Sequence, residues 1–227
     1  MIKNLEVIGL IPARGNSRNL PRKNLLLFKG HTLLEHAITS AKDSSFVDQI
    51  IVNSEDKEII EIAKKLNIGI FERDPSYSKD STTSSEVISD FIRKFNNTND
   101  YFIIYLQPTS PYRNSMHIDE ACSLIQNSDE NCAMSVTQTD NKFLKSFFII
   151  NGRLSPISHD DYVNSNRQDL PEVYFSNGAI YVFRKSDFLR ENRIPLKDAV
   201  PFFMGEAVSL DIDSIDDYEE LLRREID

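Results

Sequence analysis

Short apolar runs alternate along the chain with segments that carry apolar residues at helical spacing. The runs are rich in β-branched residues and four to seven residues long, which is typical of buried strands. The predicted strands cover 7–11, 49–54, 68–71, 101–106, 132–138, 177–183 and 207–213. The intervening segments predict helices at 32–43, 55–67, 84–95, 115–127 and 214–226. Polar residues at the helix starts, including Thr32, Ser84 and Ser214, are expected N-caps.

Strands that alternate with helices predict an α/β fold, with a mainly parallel sheet covered by helices on both faces. Ligands of such folds bind beyond the carboxyl ends of the strands. The alternation stops at about 139–172, where a short hairpin and a polar extended segment are expected. This excursion is too short to hold its own core. We therefore predict one domain over residues 1–227 with an inserted element at about 139–172.

The composition fits a cytoplasmic globular protein. The formal net charge is -9, and an acidic chain of this kind is not expected to bind nucleic acid or a membrane surface. The sequence has neither signal-peptide architecture nor an apolar run of roughly 20 residues. Cys122 and Cys132 are expected to be buried free thiols.

Four cations stand close together after the first strand, in the loop "IPARGNSRNLPRKN": Arg14, Arg18, Arg22 and Lys23. The loop lacks the glycine pattern of dinucleotide-binding turns and of P-loops. Gly15 is its only glycine, so phosphate would have to be held mainly by side chains, to which arginine is suited. The spacing alone leaves two interpretations open, a triphosphate site and a solvated basic loop.

Two aspartates near the end of the chain, Asp211 and Asp213, stand at alternate positions of a predicted strand. On a strand they would share one face. Paired carboxylates suit Mg²⁺, with Mn²⁺ as a second choice. The alternative is an acidic cluster at a helix start, because Asp216 and Asp217 follow.

Polar residues also follow other strands. "QPTSPYR" offers Gln107, Ser110 and Arg113, although a turn would explain its prolines. Asn177 and Gly178 open a strand, where an amide or bare backbone can meet a ligand. The Ser/Thr-rich segment 71–85 could hydrogen-bond a base or sugar, or be a plain surface loop.

Five stretches together resemble the CMP-sialic acid synthetases, also called acylneuraminate cytidylyltransferases. They are "IPARGNSRNLPRKN", "RDPSYSKDSTTSS", "LQPTSPYR", "NGAIYVF" and "LDID", in the order and spacing of that family over residues 8–213. The resemblance implies a Rossmann-like, three-layer nucleotidyltransferase fold. It implies transfer of CMP from CTP to a nine-carbon 2-keto sugar acid, such as sialic, legionaminic or pseudaminic acid, with release of pyrophosphate.

The resemblance also implies roles for particular residues. The catalytic set is Arg14 and Lys23, which hold the triphosphate, with Asp211 and Asp213, which bind Mg²⁺. The implied nucleotide contacts further include Arg18, Asn24, Arg73 and Ser84. The implied sugar contacts are Gln107, Asn177, Tyr181, Lys145 and Arg167, the last two acting across a homodimer formed by the excursion. Where the family commonly has Ser-Lys-Gly/Arg before Leu-Pro, this chain has Ser17-Arg18-Asn19.

Three other functions compete with this one. A cytidylyltransferase for the eight-carbon sugar KDO would share the fold, although "QPTSP" favours the nine-carbon branch. A GT-A glycosyltransferase would use Asp-x-Asp for its metal, but that motif normally lies mid-chain. A non-catalytic nucleotide-binding relative would not need both the cationic loop and the aspartate pair. No Ser/His/Asp or Cys/His constellation is apparent, and the acidity of the anomeric hydroxyl makes a dedicated protein base unnecessary.

Overall fold

A seven-stranded sheet forms the centre of the computed structural model, which describes residues 1–197 and 199–224. Its strands are β1 (Glu6–Pro12), β4 (Gln49–Ser54), β5 (Gly69–Glu72), β6 (Tyr101–Tyr105), β7 (Cys132–Thr139), β10 (Val173–Arg184) and β11 (Val200–Phe203). Two-stranded ribbons outside it contain β2 (Leu27–Phe28) with β3 (His31–Thr32), and β8 (Phe147–Ile150) with β9 (Arg153–Pro156). The order across the large sheet is β11-β7-β10-β6-β1-β4-β5. Strand β10 is antiparallel to both of its neighbours and the other pairs are parallel, which confirms the mainly parallel sheet.

Helices cover both faces of this sheet, as predicted. They are α1 (Leu33–Lys42), α2 (Lys57–Lys65), α3 (Ser84–Lys94), α4 (Ser115–Gln126), α5 (Asp160–Asn164), α6 (Lys185–Glu191) and α7 (Ile215–Arg223). Alternate residues of β1 enter two different cores: Val7 and Ile11 pack with α1, α2 and α4, whereas Ile8 and Leu10 pack with α3 and α6. The strand is therefore buried on both faces, which explains its continuous apolar sequence. Among the described residues no helix combines the length and apolar content needed to cross a bilayer.

Polar side chains set the helix starts near the carboxyl edge. Thr32 and Ser214 are the N-caps of α1 and α7, each within a reciprocal capping box, as predicted. The predicted cap at Ser84 is wrong by one residue, because Thr83 caps α3 and Ser84 is its first helical residue. The predicted helix 214–226 ends at Arg223, and its residues 225 and 226 lie outside the described part of the chain.

The predicted strand at 207–213 is wrong. A single 3₁₀ turn, Glu206–Val208, is followed by an extended loop that joins no sheet. The backbone of this loop is held by other partners, because Ile212 N donates to Thr109 O at 2.9 Å. The edge strand β11, which the sequence did not predict, lies just before it and pairs with β7.

The excursion at 139–172 contains the ribbon β8–β9, the short helix α5 and two 3₁₀ turns, Asn141–Lys145 and Arg167–Asp169. Large apolar side chains of the ribbon are exposed, including Phe148, Ile149 and Leu154. A hairpin was expected here, and the ribbon confirms it. The role of this element in dimerisation stays a prediction.

Candidate active site

A cleft of about 220 Å³ lies beyond the carboxyl ends of the parallel strands. Its floor contains Pro12 from the end of β1 and Tyr105 from the end of β6. Its walls contain most of the predicted nucleotide and metal residues and one predicted sugar contact, Gln107; the others are Arg14, Lys23, Asn24, Arg73, Ser84, Asp211 and Asp213. Segments that are far apart in sequence meet here because the strands before them end at one edge of the sheet.

Both cleft-facing cations of the first loop are paired with carboxylates. Arg14 donates to Asp80 at 2.7 Å, and Lys23 lies 2.6 Å from Asp213 Oδ1. Asn24 is buried, and its amide donates to the carbonyl of Arg14 at 2.9 Å. The contribution of Asn24 in this structure is therefore to hold the loop, which places Arg14 at the cleft.

The other two cations of the loop do not line the cleft. Arg18 is exposed. Arg22 has a left-handed backbone with φ of 55° and lies 2.6 Å from Glu58 near the start of α2. Of the two, Arg18 is the predicted nucleotide contact that the fold does not bring to the cleft.

Arg73 is buried at the back of the cleft, and its guanidinium is held by one residue. Its Nε donates to the side-chain oxygen of Asn53, and its Nη2 donates to the Asn53 carbonyl at 3.0 Å. Burial lowers the pKa of Arg73 from its ordinary value. Ser84, at the start of α3, hydrogen-bonds the Tyr105 hydroxyl. A fixed arginine and a helix N-terminus beside a tyrosine suit recognition of a flat polar group.

The two aspartates lie together in the cleft but in different environments. Asp213 is largely exposed beside Lys23. Asp211 is mostly buried, and burial raises its pKa, although a hydrogen bond from Thr109 counteracts part of this effect. Asp211 Oδ1 is buried with no hydrogen-bond partner among the described residues. Because the segment is not a strand, this placement does not follow from the period-two argument of the sequence.

The donor set fits a divalent cation shared with a substrate. Two carboxylates supply the oxygen ligands that Mg²⁺ prefers, and a cation would satisfy the orphaned Asp211 oxygen. In residues 1–197 and 199–224, no group of three or more His, Cys, Asp or Glu side chains could hold a metal by itself. Magnesium commonly binds one or two carboxylates together with substrate phosphates.

The predicted sugar contacts on the main body lie in three settings. Gln107 lines the cleft. Tyr181 is half-buried, its hydroxyl is 2.7 Å from Ser176 Oγ, and burial raises its pKa. Asn177 is buried, and its side chain bonds Ser135, Ser209 and the backbone N–H of Ala179. Asn177 and Gly178 lie inside β10 and not at its start as predicted, and Asn177 supports from within the irregular part of this strand, where the register with β7 shifts.

The two predicted sugar contacts of the excursion do not line the cleft of this chain. The Lys145 ammonium bonds the carbonyl of Ser165. Arg167 pairs with Asp140 at 3.0 Å. Their predicted action across a dimer is not tested by a single chain.

Several residues of the site were not predicted from the sequence. They are Thr109, which contacts Asp211, and Tyr105, which contacts Ser84. A third is Asp80, which pairs with Arg14. Thr109 lies inside the "QPTSP" segment, so that motif carried a signal for it. Asp80 carried none, because its pairing depends on how the 71–85 loop folds over the cleft.

The chain matches a family model described as Cytidylyltransferase over residues 8–223. It is 31% identical over 220 residues to an N-acylneuraminate cytidylyltransferase of Streptococcus agalactiae, covering 94% of this chain and 52% of the relative. The chain thus spans about half the length of that relative. It is 28% identical over 213 residues to the pseudaminic acid cytidylyltransferase of Campylobacter jejuni, covering 92% of each.

The fold is similar to that of solved nucleotidyltransferases. A structure of CMP:2-keto-3-deoxy-manno-octonic acid synthetase complexed with CTP superposes with a TM-score of 0.70 at 13% identity, covering 95% of this chain and 96% of the other. At this low identity the comparison supports only a similarity of fold. That similarity agrees with the Rossmann-like, three-layer fold predicted from the sequence. The family match covers nearly the whole chain and includes every strand and helix that builds the cleft, so this chain belongs to the cytidylyltransferase family.

Proposed function

We propose that this protein transfers CMP from CTP to the anomeric hydroxyl of a nine-carbon 2-keto sugar acid and releases pyrophosphate. The observation that carries the proposal is the cleft itself, in which Arg14 and Lys23 face Asp211 and Asp213. Cations suit the triphosphate, and the aspartates suit its metal. The names of the similar proteins, which are N-acylneuraminate and pseudaminic acid cytidylyltransferases, support the same reaction.

The reaction is an in-line displacement at the α-phosphorus of CTP. A bond forms from the sugar's anomeric oxygen to phosphorus, the hydroxyl proton passes to solvent water, and the bond from phosphorus to the bridging oxygen of the β-phosphate breaks, so that pyrophosphate leaves. Negative charge on the phosphate oxygens is what the site must stabilise. Arg14 and Lys23 bind these oxygens, for which each must exchange its carboxylate partner, Asp80 or Asp213, for phosphate.

Asp211 and Asp213 are the proposed holders of Mg²⁺ or Mn²⁺. The bound metal would offset phosphate charge and fix the phosphates in orientation. Arg73 and Ser84 are proposed to contact the cytidine, because they line the same cleft and lie on segments other than the loop of the aspartates. An Asp213→Ala variant is expected to lose metal-dependent turnover, and near-normal turnover would overturn the metal assignment.

A second cavity of about 1110 Å³ meets the cleft at Asp211. It supports a two-substrate reaction, because the donor and the acceptor could then approach the metal pair from opposite sides. Gln107 lies at this junction, against Gly178. Lys145 and Arg167 would contribute from the partner copy of a homodimer.

The KDO reaction is less favoured. Similarity to the octonic acid synthetase is a similarity of fold at 13% identity, whereas the relatives named for sialic and pseudaminic acid have about twice that identity. The family match also disfavours a GT-A glycosyltransferase.

The test is pyrophosphate release with CTP or UTP and a panel of free sugars: N-acetylneuraminate, legionaminate, pseudaminate and KDO. We expect release with CTP and at least one nine-carbon acid, and none with UTP. Release with KDO alone would select the eight-carbon alternative. Activity that requires an acceptor glycan would indicate a glycosyltransferase.

A further inference from the structure

One arginine of the "QPTSP" neighbourhood is buried beneath the cleft, and the proposed reaction does not use it. Arg113 is 3% exposed. Its Nη1 donates to two backbone carbonyls, those of Gln107 and Ala179, at 2.8 Å each. Its Nε lies 3.4 Å from Ser40 Oγ.

The charge of Arg113 has no carboxylate partner within salt-bridge distance among residues 1–197 and 199–224. Burial lowers its pKa to about 9. An unpaired buried cation is costly unless hydrogen bonds offset its loss of solvation. The role of Arg113 must therefore be inferred from the two backbone carbonyls to which it donates.

These carbonyls lie where the sheet loses its regular pairing. The β6–β10 ladder ends at Tyr105 and Tyr181, and the β7–β10 register shifts between Ser176 and Tyr181. Neither Gln107 nor Ala179 is paired in a ladder. Because buried backbone carbonyls need donors, the guanidinium takes the place of the missing strand partner at both positions.

The segments joined in this way meet again at the cleft. Gly178 has φ of 75°, and a Cβ atom there would lie 2.8 Å from Gln107 Oε1 and 3.4 Å from Asp211 Oδ2. The Gln107 side chain is thus packed against bare backbone, next to the metal-binding aspartate. A small change in the spacing of the two segments would move the Gln107 amide relative to Asp211.

We propose that Arg113 is a positioning residue that sets the distance between the Gln107 segment and the Gly178 turn, and through them the sugar side of the site. The planar fork of arginine reaches two carbonyls at once, which a lysine ammonium on a flexible stem does not do with the same fixed geometry. This inference rests on the proposed function, because the acceptor is taken to be the sugar acid.

The kinetic test compares Arg113→Lys with Arg184→Lys. Arg184 is a matched control, because it lies at the other end of β10 and bonds Asp100 at 2.6 Å. For Arg113→Lys we expect the KM for the sugar to rise about tenfold, with the KM for CTP within twofold of wild type. Equal rises for both substrates, or no rise for the sugar, would overturn the proposal.

A double-mutant cycle with Gln107→Ala separates positioning from loss of stability. If Arg113 acts through Gln107, the two substitutions together raise the KM for the sugar little more than the larger single effect. Multiplying effects would show that Arg113 acts independently of Gln107, and would overturn the proposal.

Hydrogen exchange tests the same contacts without activity. Amides at 106–109 and 177–181 should exchange at least fivefold faster in Arg113→Lys than in Arg184→Lys. Unchanged amide exchange in Arg113→Lys would refute the positioning role of Arg113, even if the variant enzyme were active. Absence of CTP-dependent pyrophosphate release in the wild type would instead refute the proposed function, while the exchange result would still decide the role of Arg113.

Discussion

One carboxylate of the cleft, Asp211, is mostly buried, and its Oδ1 has no hydrogen-bond partner among the described residues. Burial raises the pKa of Asp211, so the folded protein holds the proton more tightly than the unfolded chain does. The stability that the neutral form provides is present at low pH and is lost as the pH rises through the folded-state pKa. Ionisation of Asp211 in the folded protein therefore lowers its stability in the absence of a metal.

Asp211→Asn should raise the free energy of unfolding at neutral pH by about 1 kcal/mol in EDTA, because it removes a poorly solvated charge. The same substitution should abolish turnover. Urea denaturation and pyrophosphate release measure the two effects. The control is Asp213→Asn. Because the Asp213 carboxylate is largely exposed, this substitution should change the free energy of unfolding by less than about 1 kcal/mol. An Asp211→Asn protein less stable than wild type would contradict this account of the site.

Gly15, the only glycine of the first loop, leaves no room for a side chain, because Asp56 packs against it. A Cβ atom at Gly15 would lie 2.4 Å from Asp56 Oδ2 and 2.7 Å from Asp56 Cβ. Asp56 caps α2 by accepting from the N–H groups of Glu58 and Ile59. The sequence suggested that side chains hold the phosphates here, and the structure adds that this glycine makes room for a helix cap.

Gly15→Ala should lower the free energy of unfolding by about 1–2 kcal/mol, because the Asp56 side chain must move and its capping bonds weaken. The control is Gly205→Ala. Gly205 has φ of -63°, and a Cβ atom there would meet nothing within 4 Å, so its substitution should be neutral or slightly stabilising. Urea denaturation of both variants decides, and equal stabilities would contradict the steric argument.

At the scale of elements, one carboxylate connects the two loops that are proposed to hold the nucleotide. Glu55 Oε1 accepts from Gly15 N at 2.8 Å in the first loop, and Oε2 accepts from Ser78 Oγ at 2.7 Å in the second. The residue follows directly after β4, at the carboxyl edge of the sheet. The separation of Arg14 from the second loop therefore depends on Glu55.

Glu55→Gln replaces one acceptor with an amide donor and should release one of these loops. A lost hydrogen bond to a charged group is worth about 1.5–3 kcal/mol, so we expect the KM for CTP to rise by at least about tenfold. Glu58→Gln is the control, because Glu58 is exposed and pairs with Arg22 at the surface. Calorimetric titration with CTP measures the affinity independently. If the Glu55→Gln protein binds CTP as tightly as the Glu58→Gln protein does, the proposed role of Glu55 in connecting the two loops is ruled out.

The elements that the sequence predicted well are those whose burial has a clear period. Strand β6 and residues 7–12 of β1 are apolar because helices cover both faces of the sheet. The segment 207–213 also alternates, yet it forms no strand, because Leu210 and Ile212 are buried on one side of an extended loop. Alternation reports one-sided burial, and it does not report whether a neighbouring strand is present.

Strand β11 was not predicted, because its sequence has no clear alternation although it does pair with a neighbouring strand. It is four residues long, contains Pro201 and lies at the edge of the sheet. Edge strands tolerate proline because one side of their backbone needs no ladder partner. Without its neighbour β7, such a short segment carries no pattern that separates it from a loop.

At the scale of the whole molecule, the sequence identified part of the cleft's lining but not how its residues pair. The rule that parallel strands end at one edge brings Arg14, Gln107 and Ser84 together. The partners of the cations, Asp80 and Asp213, depend on how loops fold across that edge. Arg18 lies outside the cleft, and its nucleotide contact stays a prediction, because the charges of a loop do not show which side chains face inward.

The whole molecule also presents an apolar surface that one chain leaves exposed. Ile149 is 78% exposed at the ribbon, with Phe148 and Leu154 nearby in sequence. Clustered exposed apolar side chains of this kind indicate a protein interface. We expect a homodimer in solution, with Ile149→Asp a monomer by sedimentation velocity. Met116→Asp is the control, since Met116 is 65% exposed on α4, outside the excursion. A wild-type monomer, or equal dissociation of both variants, would contradict this expectation.

If the partner copy supplies Lys145 to the sugar side, two inactive variants should restore each other. Asp211→Asn removes a proposed metal ligand from one chain, and Lys145→Ala removes the proposed contribution to the partner's site. In a hybrid dimer, one site would combine the Asp211→Asn chain with the Lys145→Ala partner, and the other would have both residues intact. Mixing the variants in equal amounts after dissociation should therefore recover about a quarter of wild-type activity, because half of the dimers are hybrids and each has one intact site. If Lys145 served the site of its own chain, each hybrid would carry two defective sites, and the mixture would stay as inactive as its components.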